Sequence, residues 1–343
     1  MKIALDAMGG DFAPEQVVEG GVRAHRELGV EVIFVGIKDR VDAALATSGA
    51  GKWAEIEDAP EVIAMDEHPA QAVRGKKNSS IVRGIQMVED GRAKGFVSAG
   101  NSGAVMAAAL FGLRRIAGVD RPAIGSPIPT SAGPPCFLLD VGANVDAKPE
   151  HLQQYAVLGT IYAERLLGIP TPRVALLSNG EEPGKGNQLV QAAEPLLRSQ
   201  AGINFIGNVE GKDIFRGKAD VVVTDGFSGN VLIKTAEGVA EFLFQSMRDS
   251  VKGDPLASAG GLLLRPKLRA IRDRADWREF GGALLLGVNG VAVIAHGRSD
   301  ARAIFNAVRV ARDAVDRQVV SLFTAAMSNS SPATNRSPSP LVT

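Results

Sequence analysis

Five short stretches of this chain combine residue types that hold anions. They are Asp6-Ala7-Met8-Gly9-Gly10-Asp11, Ser98-Ala99-Gly100-Asn101-Ser102-Gly103, Asp140-Val141-Gly142-Ala143-Asn144, Ser178-Asn179-Gly180-Glu181-Glu182 and Asp225-Gly226-Phe227-Ser228-Gly229-Asn230. Glycine lets a backbone approach a ligand closely. A helix that starts just after such a loop presents unpaired N–H groups and a partial positive charge. Together these features bind phosphate and similar anions. The plainer alternative for any single loop is a tight turn whose Asn or Ser caps the next helix. Five such loops favour a shared ligand crevice. Lys185, between Gly184 and Gly186, could meet a multiply charged anion as a point charge, with a solvated loop lysine as the alternative. Arg74, Lys76 and Lys77 form a second basic group, whose alternative is a charged surface turn.

Other chemistries are poorly supported. Neither phosphate-binding fingerprint, G-x-x-x-x-G-K-[ST] or G-x-G-x-x-G, occurs as a strand-to-helix match. There is no G-x-S-x-G nucleophile elbow. The single cysteine, Cys136, heads an apolar run and reads as a buried structural thiol. It can form no intrachain disulfide, which suits a reducing compartment. The four histidines are scattered, so no zinc spacing arises and no metal is expected. Lys+Arg and Asp+Glu both number 38, and aromatics make up 5%. That balance argues against a nucleic-acid partner. A bound nucleophile attacking directly fits better than a covalent acyl-enzyme.

The elements that must position these loops are short apolar runs: Ile3-Ala4-Leu5, Gly95-Phe96-Val97, Phe137-Leu138-Leu139, Val174-Ala175-Leu176-Leu177 and Val221-Val222-Val223. Segments 31–36 and 203–208 add two more strands. Apolar strands alternating with helices indicate a largely parallel sheet covered on both faces, an α/β/α sandwich. In such sheets the ligand crevice lies at the carboxyl ends of the strands, so all five loops are expected to line one crevice. The organisation expected is one α/β domain over 1–326 and a Ser/Pro/Asn-rich, disordered tail over 327–343. A protruding helical excursion is expected near 250–280. There Leu262, Leu263 and Leu264 adjoin Arg265 and Lys267, a combination suited to a membrane surface or to subunit packing. The apolar start of the chain is broken at Asp6, too short for a signal peptide. No run of about 18 apolar residues suggests a membrane-spanning helix.

The chain resembles the bacterial phosphate acyltransferases, the acyl-carrier-protein:phosphate transacylases of phospholipid synthesis. The blocks that carry the resemblance are IALDAMGGDFAP (3–14), KKNSSI (76–81), SAGNSGA (98–104), RPAI (121–124), LDVGANVD (139–146), EEPGKGN (181–187), GNVEG (207–211), DVVVTDGFSGNV (220–231), GGALLLGV (281–288) and HGRS (296–299). It departs from the family pattern at Ser178-Asn179, at Pro183-Gly184 and at Ser102, where Thr is common; Lys185 is retained.

The resemblance implies transfer of a long-chain acyl group from acyl carrier protein to inorganic phosphate, giving acyl phosphate and free carrier protein. It implies a fold like phosphotransacetylases and isocitrate/isopropylmalate dehydrogenases. It also implies a homodimer in the cytoplasm, touching the inner face of the membrane and a downstream glycerol-phosphate acyltransferase, with no cofactor. Lys185 and Asn230 fall on the family's functional positions. On this reading Ser98, Gly100, Asn101, Ser102, Gly103, Asn144, Asp225, Gly226, Ser228, Gly229 and His296 line the substrate and phosphate site. Asn230 would donate to the thioester oxyanion. The rival readings are a dehydrogenase of the isocitrate/isopropylmalate type and a non-catalytic scaffold that binds acyl carriers.

Overall fold

The computed structural model describes residues 1–51, 53–131, 133–252, 257, 260, 263–267 and 277–330. Each apolar run becomes a strand because alternate side chains find cover on both sides. In β1 (Lys2–Asp6), Ile3 and Leu5 enter one core and Ala4 the other, and all three are fully buried. The other strands are β2 (Glu31–Gly36), β3 (Glu55–Asp58), β4 (Gly95–Ser98), β5 (Ala123–Ile128), β6 (Cys136–Leu139), β7 (Arg173–Leu177), β8 (Asn204–Val209), β9 (Val221–Val223), β10 (Ala283–Leu286) and β11 (Val291–Ile294). They form one sheet in the order β3-β2-β1-β4-β11-β10-β5-β6-β9-β7-β8.

The direction of the strands corrects one expectation. The five strands from β3 to β11 are mutually parallel, and so are the four from β6 to β8. Between the groups lie three successive antiparallel pairings: β11 with β10, β10 with β5, and β5 with β6. An odd number of reversals turns the second group against the first. The loops after Asp6 and Ser98 therefore leave one end of the sheet, and those after Leu139, Leu177 and Val223 leave the other. They do not line a single row. Apolar runs announce a buried strand but carry no sign of its direction.

Helices cover both faces. One face carries α1 (Glu15–Leu28), α2 (Lys38–Ser48), α6 (Pro149–Arg165), α7 (Gln188–Ser199), α10 (Ala301–Asp316) and α11 (Val319–Ser330). On the other, α3 (Pro69–Gly75), α4 (Ser80–Glu89) and α5 (Ser102–Phe111) pack on the first group of strands. There α8 (Gly211–Arg216) and the Leu232–Ile233 segment of α9 (Gly226–Ser250) pack on the second. Helix α9 is 25 residues long, yet buries only Gly226 and Gly229 completely.

Most of the 250–280 excursion, Leu262 included, lies outside the described residues. The 263–267 stretch is helical, with Leu263 and Leu264 82% and 57% exposed and Arg265 and Lys267 exposed beside them. Helix α11 runs to Ser330 and buries Met327, so order extends into the stretch expected to be tail; its apolar face, unseen in a purely compositional reading, docks on the core. Residues 331–343 lie outside the described residues. Among the described residues, no helix is long and apolar enough to cross a membrane.

Candidate functional site

The first loop group is built around Asp6, the fully buried last residue of β1. Its Oδ1 accepts from the Met8 N–H at 3.0 Å and its Oδ2 from the Ser98 hydroxyl at 2.6 Å. The Ser98 hydroxyl in turn accepts from Gly100 N–H at 3.0 Å. Burial raises the carboxyl's pKa, opposed by the hydrogen bonds from Ser80 and Ser98. A Cβ on Gly9 would lie 2.5 Å from Asp6 Oδ2 and 2.6 Å from Gly100 N, so the two loops interlock. The turn after β11 closes the group: Ala295 N–H donates to Ser98 O at 2.8 Å and Asp11 N–H to Gly297 O at 2.8 Å.

Asn101 caps α5, its Oδ1 accepting from Ala104 N–H at 3.0 Å. Its Nδ2 faces the carbonyls of Ala64, Met65 and Glu67 at 3.1–3.2 Å. The side chain is fully engaged within the protein. Ser102 is exposed on the first turn of α5, whose leading N–H groups point outward as in any helix.

The second group is built around Asp140, which follows β6 and is also fully buried. Its Oδ1 accepts from the N–H groups of Ile124, Gly142 and Ala143, and its Oδ2 from the backbone and side-chain N–H of Asn144, all at 2.7–3.2 Å. Burial raises this pKa as well, against those hydrogen bonds. The Asn144 amide also donates to Pro122 O and to the Tyr155 hydroxyl. Asp225 caps α9 through Ser228 N–H and accepts from the Ser228 hydroxyl, both at 2.8 Å. A cavity of about 780 Å³ opens beside Pro122, lined by Arg115, Arg121, Lys148 and His151 together with Asp120, Asp146 and Glu150.

The glycines have a reason different from the one expected of them. A Cβ would lie 2.8 Å from Asn144 O at Gly226, 1.9 Å from Asp140 O at Gly229 and 2.5 Å from Pro69 Cγ at Gly103. At Gly100 it would meet Ser98 Oγ at 3.2 Å. Neighbouring protein atoms fill these spaces, so glycine here lets chain approach chain.

Asn230 stands out because its side chain is exposed and makes no hydrogen bond among the described residues. It sits just past the first turn of α9, its Cβ 3.9 Å from where a Cβ on Gly142 would be. One turn further, Lys234 Nζ lies 3.0 Å from His296 Nε2. Helix α9 thus joins the second loop group to the first and brings Asn230 and His296 into one neighbourhood. Sequence reading missed Lys234. The signal was there: Asn230, Lys234, Glu237 and Glu241 recur at helical spacing.

Lys185 takes no part in these hydrogen bonds. It is exposed on the loop after β7, the neighbour of β9 in the sheet. That loop is shaped by Gly186 N–H donating to Asn179 Oδ1 at 2.9 Å and Lys185 N–H to Glu182 O at 3.2 Å. Lys76 is held by Glu67 and the Val62 carbonyl, and Arg74 stacks on the Phe111 ring, so both serve the packing of α3. Glu181, Glu210 and Asp213 gather within metal-binding distance, and each has a cation beside it: Lys218, Lys212 and Arg216.

Comparison with known proteins identifies the family. The model of the fatty acid synthesis protein family matches residues 1–322. A phosphate acyltransferase of Pelotomaculum thermopropionicum is 52% identical over 320 residues, covering 93% of each chain. One from Desulfitobacterium hafniense is 53% identical over 317 residues, covering 92% of this chain and 94% of that one. Among solved structures, a phosphotransacetylase from Streptococcus pyogenes superposes with a TM-score of 0.65 at 18% identity, covering 92% and 94%. A 4-hydroxythreonine-4-phosphate dehydrogenase from Klebsiella pneumoniae gives 0.55 at 13%, covering 93% and 99%. These two share the fold. The chain belongs to the phosphate acyltransferase family and is an acyl-transferring enzyme of lipid synthesis.

Proposed function

We propose that this enzyme transfers a long-chain acyl group from an acyl-carrier-protein thioester to inorganic phosphate. A phosphate oxygen attacks the thioester carbonyl carbon, the C–S bond breaks, and the carrier leaves as its thiol after gaining a proton. The products are acyl phosphate and free carrier protein. The observation that carries this reading is the uncommitted amide of Asn230, poised at the start of α9 while the polar side chains around it are engaged. An amide N–H donated there stabilises the tetrahedral oxyanion, and losing one such donor costs roughly 100-fold or more in rate. The leading N–H groups of α5, at Ser102 and Gly103, are the phosphate's partners, with Lys185 offsetting its charge. Phosphate is already an anionic nucleophile, so holding it against the thioester supplies much of the acceleration.

The reading extends to assembly. Val231, Val239, Phe242, Leu243 and Met247 are 45–68% exposed along α9, a pattern suited to a homodimer interface. The exposed Leu263 and Leu264 beside Arg265 and Lys267 suit peripheral contact with the inner face of the membrane, within reach of a downstream glycerol-phosphate acyltransferase. The enzyme is then cytoplasmic, a single α/β domain of the isocitrate/isopropylmalate dehydrogenase type with a protruding helical excursion. The test is phosphate-dependent release of carrier thiol from long-chain acyl-carrier protein. Asn230→Ala is expected to lower kcat by about 100-fold. Near wild-type turnover by the folded variant would rule the assignment out.

A further inference from the structure

We infer that Lys234, Glu237 and Glu241 of α9 form, with His296 and Arg298 of the turn after β11, a seam that positions Asn230 against the phosphate-side loops; this rests on the reading of Asn230 as oxyanion donor. Residues 230, 234, 237 and 241 fall on one stripe of the helix, because their spacing follows its 3.6-residue turn. The last three each meet the β11 turn. Lys234 Nζ lies 3.0 Å from His296 Nε2 and 2.7 Å from Glu237 Oε2. Glu237 Oε2 lies 3.9 Å from His296 Nε2, and Arg298 Nη1 3.3 Å from Glu241 Oε1.

The two sides of the seam come from strand groups that run in opposite directions, so no shared strand end fixes their distance. Helix α9 follows β9, while the His296 turn follows β11 and is bonded to the Asp6–Asp11 and Ser98–Gly103 loops through Gly297 and Ala295. Beyond the buried Gly226 and Gly229, and Leu232 and Ile233 packed on the core, α9 is half-buried or exposed to its end. Asn230 is the one member of the stripe left for a ligand. His296 is a positioning residue on this geometry: its Nε2 accepts from the Lys234 ammonium, and its Nδ1 lies 3.1 Å from Arg298 N. The Arg298–Glu241 pair is about two-thirds exposed on both sides and contributes least. Lys234 and His296 are the members that matter.

A double-mutant cycle separates this seam from ordinary structural support. Lys234→Met is expected to lower kcat about tenfold, with KM for phosphate and for the acyl donor changed less than about twofold, because a misplaced donor weakens the transition state selectively. His296→Ala should behave alike, and His296→Gln, which keeps a hydrogen-bonding arm, should recover part of the loss. Thermal unfolding of each variant should stay within about 3 °C of wild type. Combined with Asn230→Ala, Lys234→Met should cost less than about twofold more, since its route of action is gone. A full tenfold loss in that background, or wild-type kcat for both Lys234→Met and His296→Ala, overturns the seam. Should Lys234→Met not fold, His296→Ala takes its place in the same cycle. Wild-type turnover by Asn230→Ala itself would sink the oxyanion reading first, and the seam with it.

Discussion

The two strand groups solve the same problem differently. Each ends a central strand with a fully buried aspartate that gathers the loop beyond it. Asp6 draws on the Ser98 hydroxyl as well as the backbone N–H of Met8. Asp140 draws only on nitrogen donors: four backbone N–H groups and the amide of Asn144. A hydroxyl can rotate and accept as well as donate, whereas an N–H is fixed and only donates. The first loop is held in part by an adaptable hydroxyl, the second by nitrogen donors alone, four of them backbone. The second loop is the one beside Asn230, where the proposed oxyanion contact needs a fixed frame.

Replacing each aspartate by its amide puts the contrast to the test. Asp140→Asn turns one acceptor oxygen into a donor facing other donors. It should cost about 4 kcal/mol of stability and most of the activity. Asp6→Asn can donate to the Ser98 hydroxyl instead, and should cost about 1 kcal/mol. Chemical denaturation of the two variants checks this; equal losses would break the comparison.

Much of this architecture is legible in the amino-acid sequence. The strands at 31–36 and near 203–208 lie where the apolar runs indicate; the capping alternative holds at Asn101, and Asp225, read as a ligand contact, caps its helix too. The reversal of β6–β9–β7–β8 is not legible, because it depends on which strands pair through β10 and β5, far apart in sequence. Glycines 226 and 229 are visible as glycines, but not as the places where α9 presses on Asn144 and Asp140. Lys234 is readable in principle from helical spacing. Its partner, His296, is 62 residues away, and only the fold supplies it.

A smaller effect probes the link between the two groups. Burial, then the nearby Lys234, lowers the pKa of His296 from its ordinary value of 6.5; Glu237 and Asp11 act the other way, and Arg298 adds to the lowering. The unfolded chain takes up the proton near that ordinary value, while the folded ring resists it. The neutral ring's contribution to stability is therefore whole above about pH 6.5 and shrinks as pH falls toward the lowered folded value. A protonated ring would set a further cation beside Lys234 and Arg298. Wild-type kcat should fall on acidification through that lowered pKa, and His296→Gln should flatten this limb of the profile. An unchanged profile in the variant would detach the titration from the joining of the two groups.

The central claim is that inorganic phosphate is the acyl acceptor. Incubating the enzyme with long-chain acyl-carrier protein and radiolabelled phosphate tests it most directly. The label should appear in a lipid-soluble acyl phosphate in step with released carrier thiol. Thiol release without label in the acyl product would contradict the account.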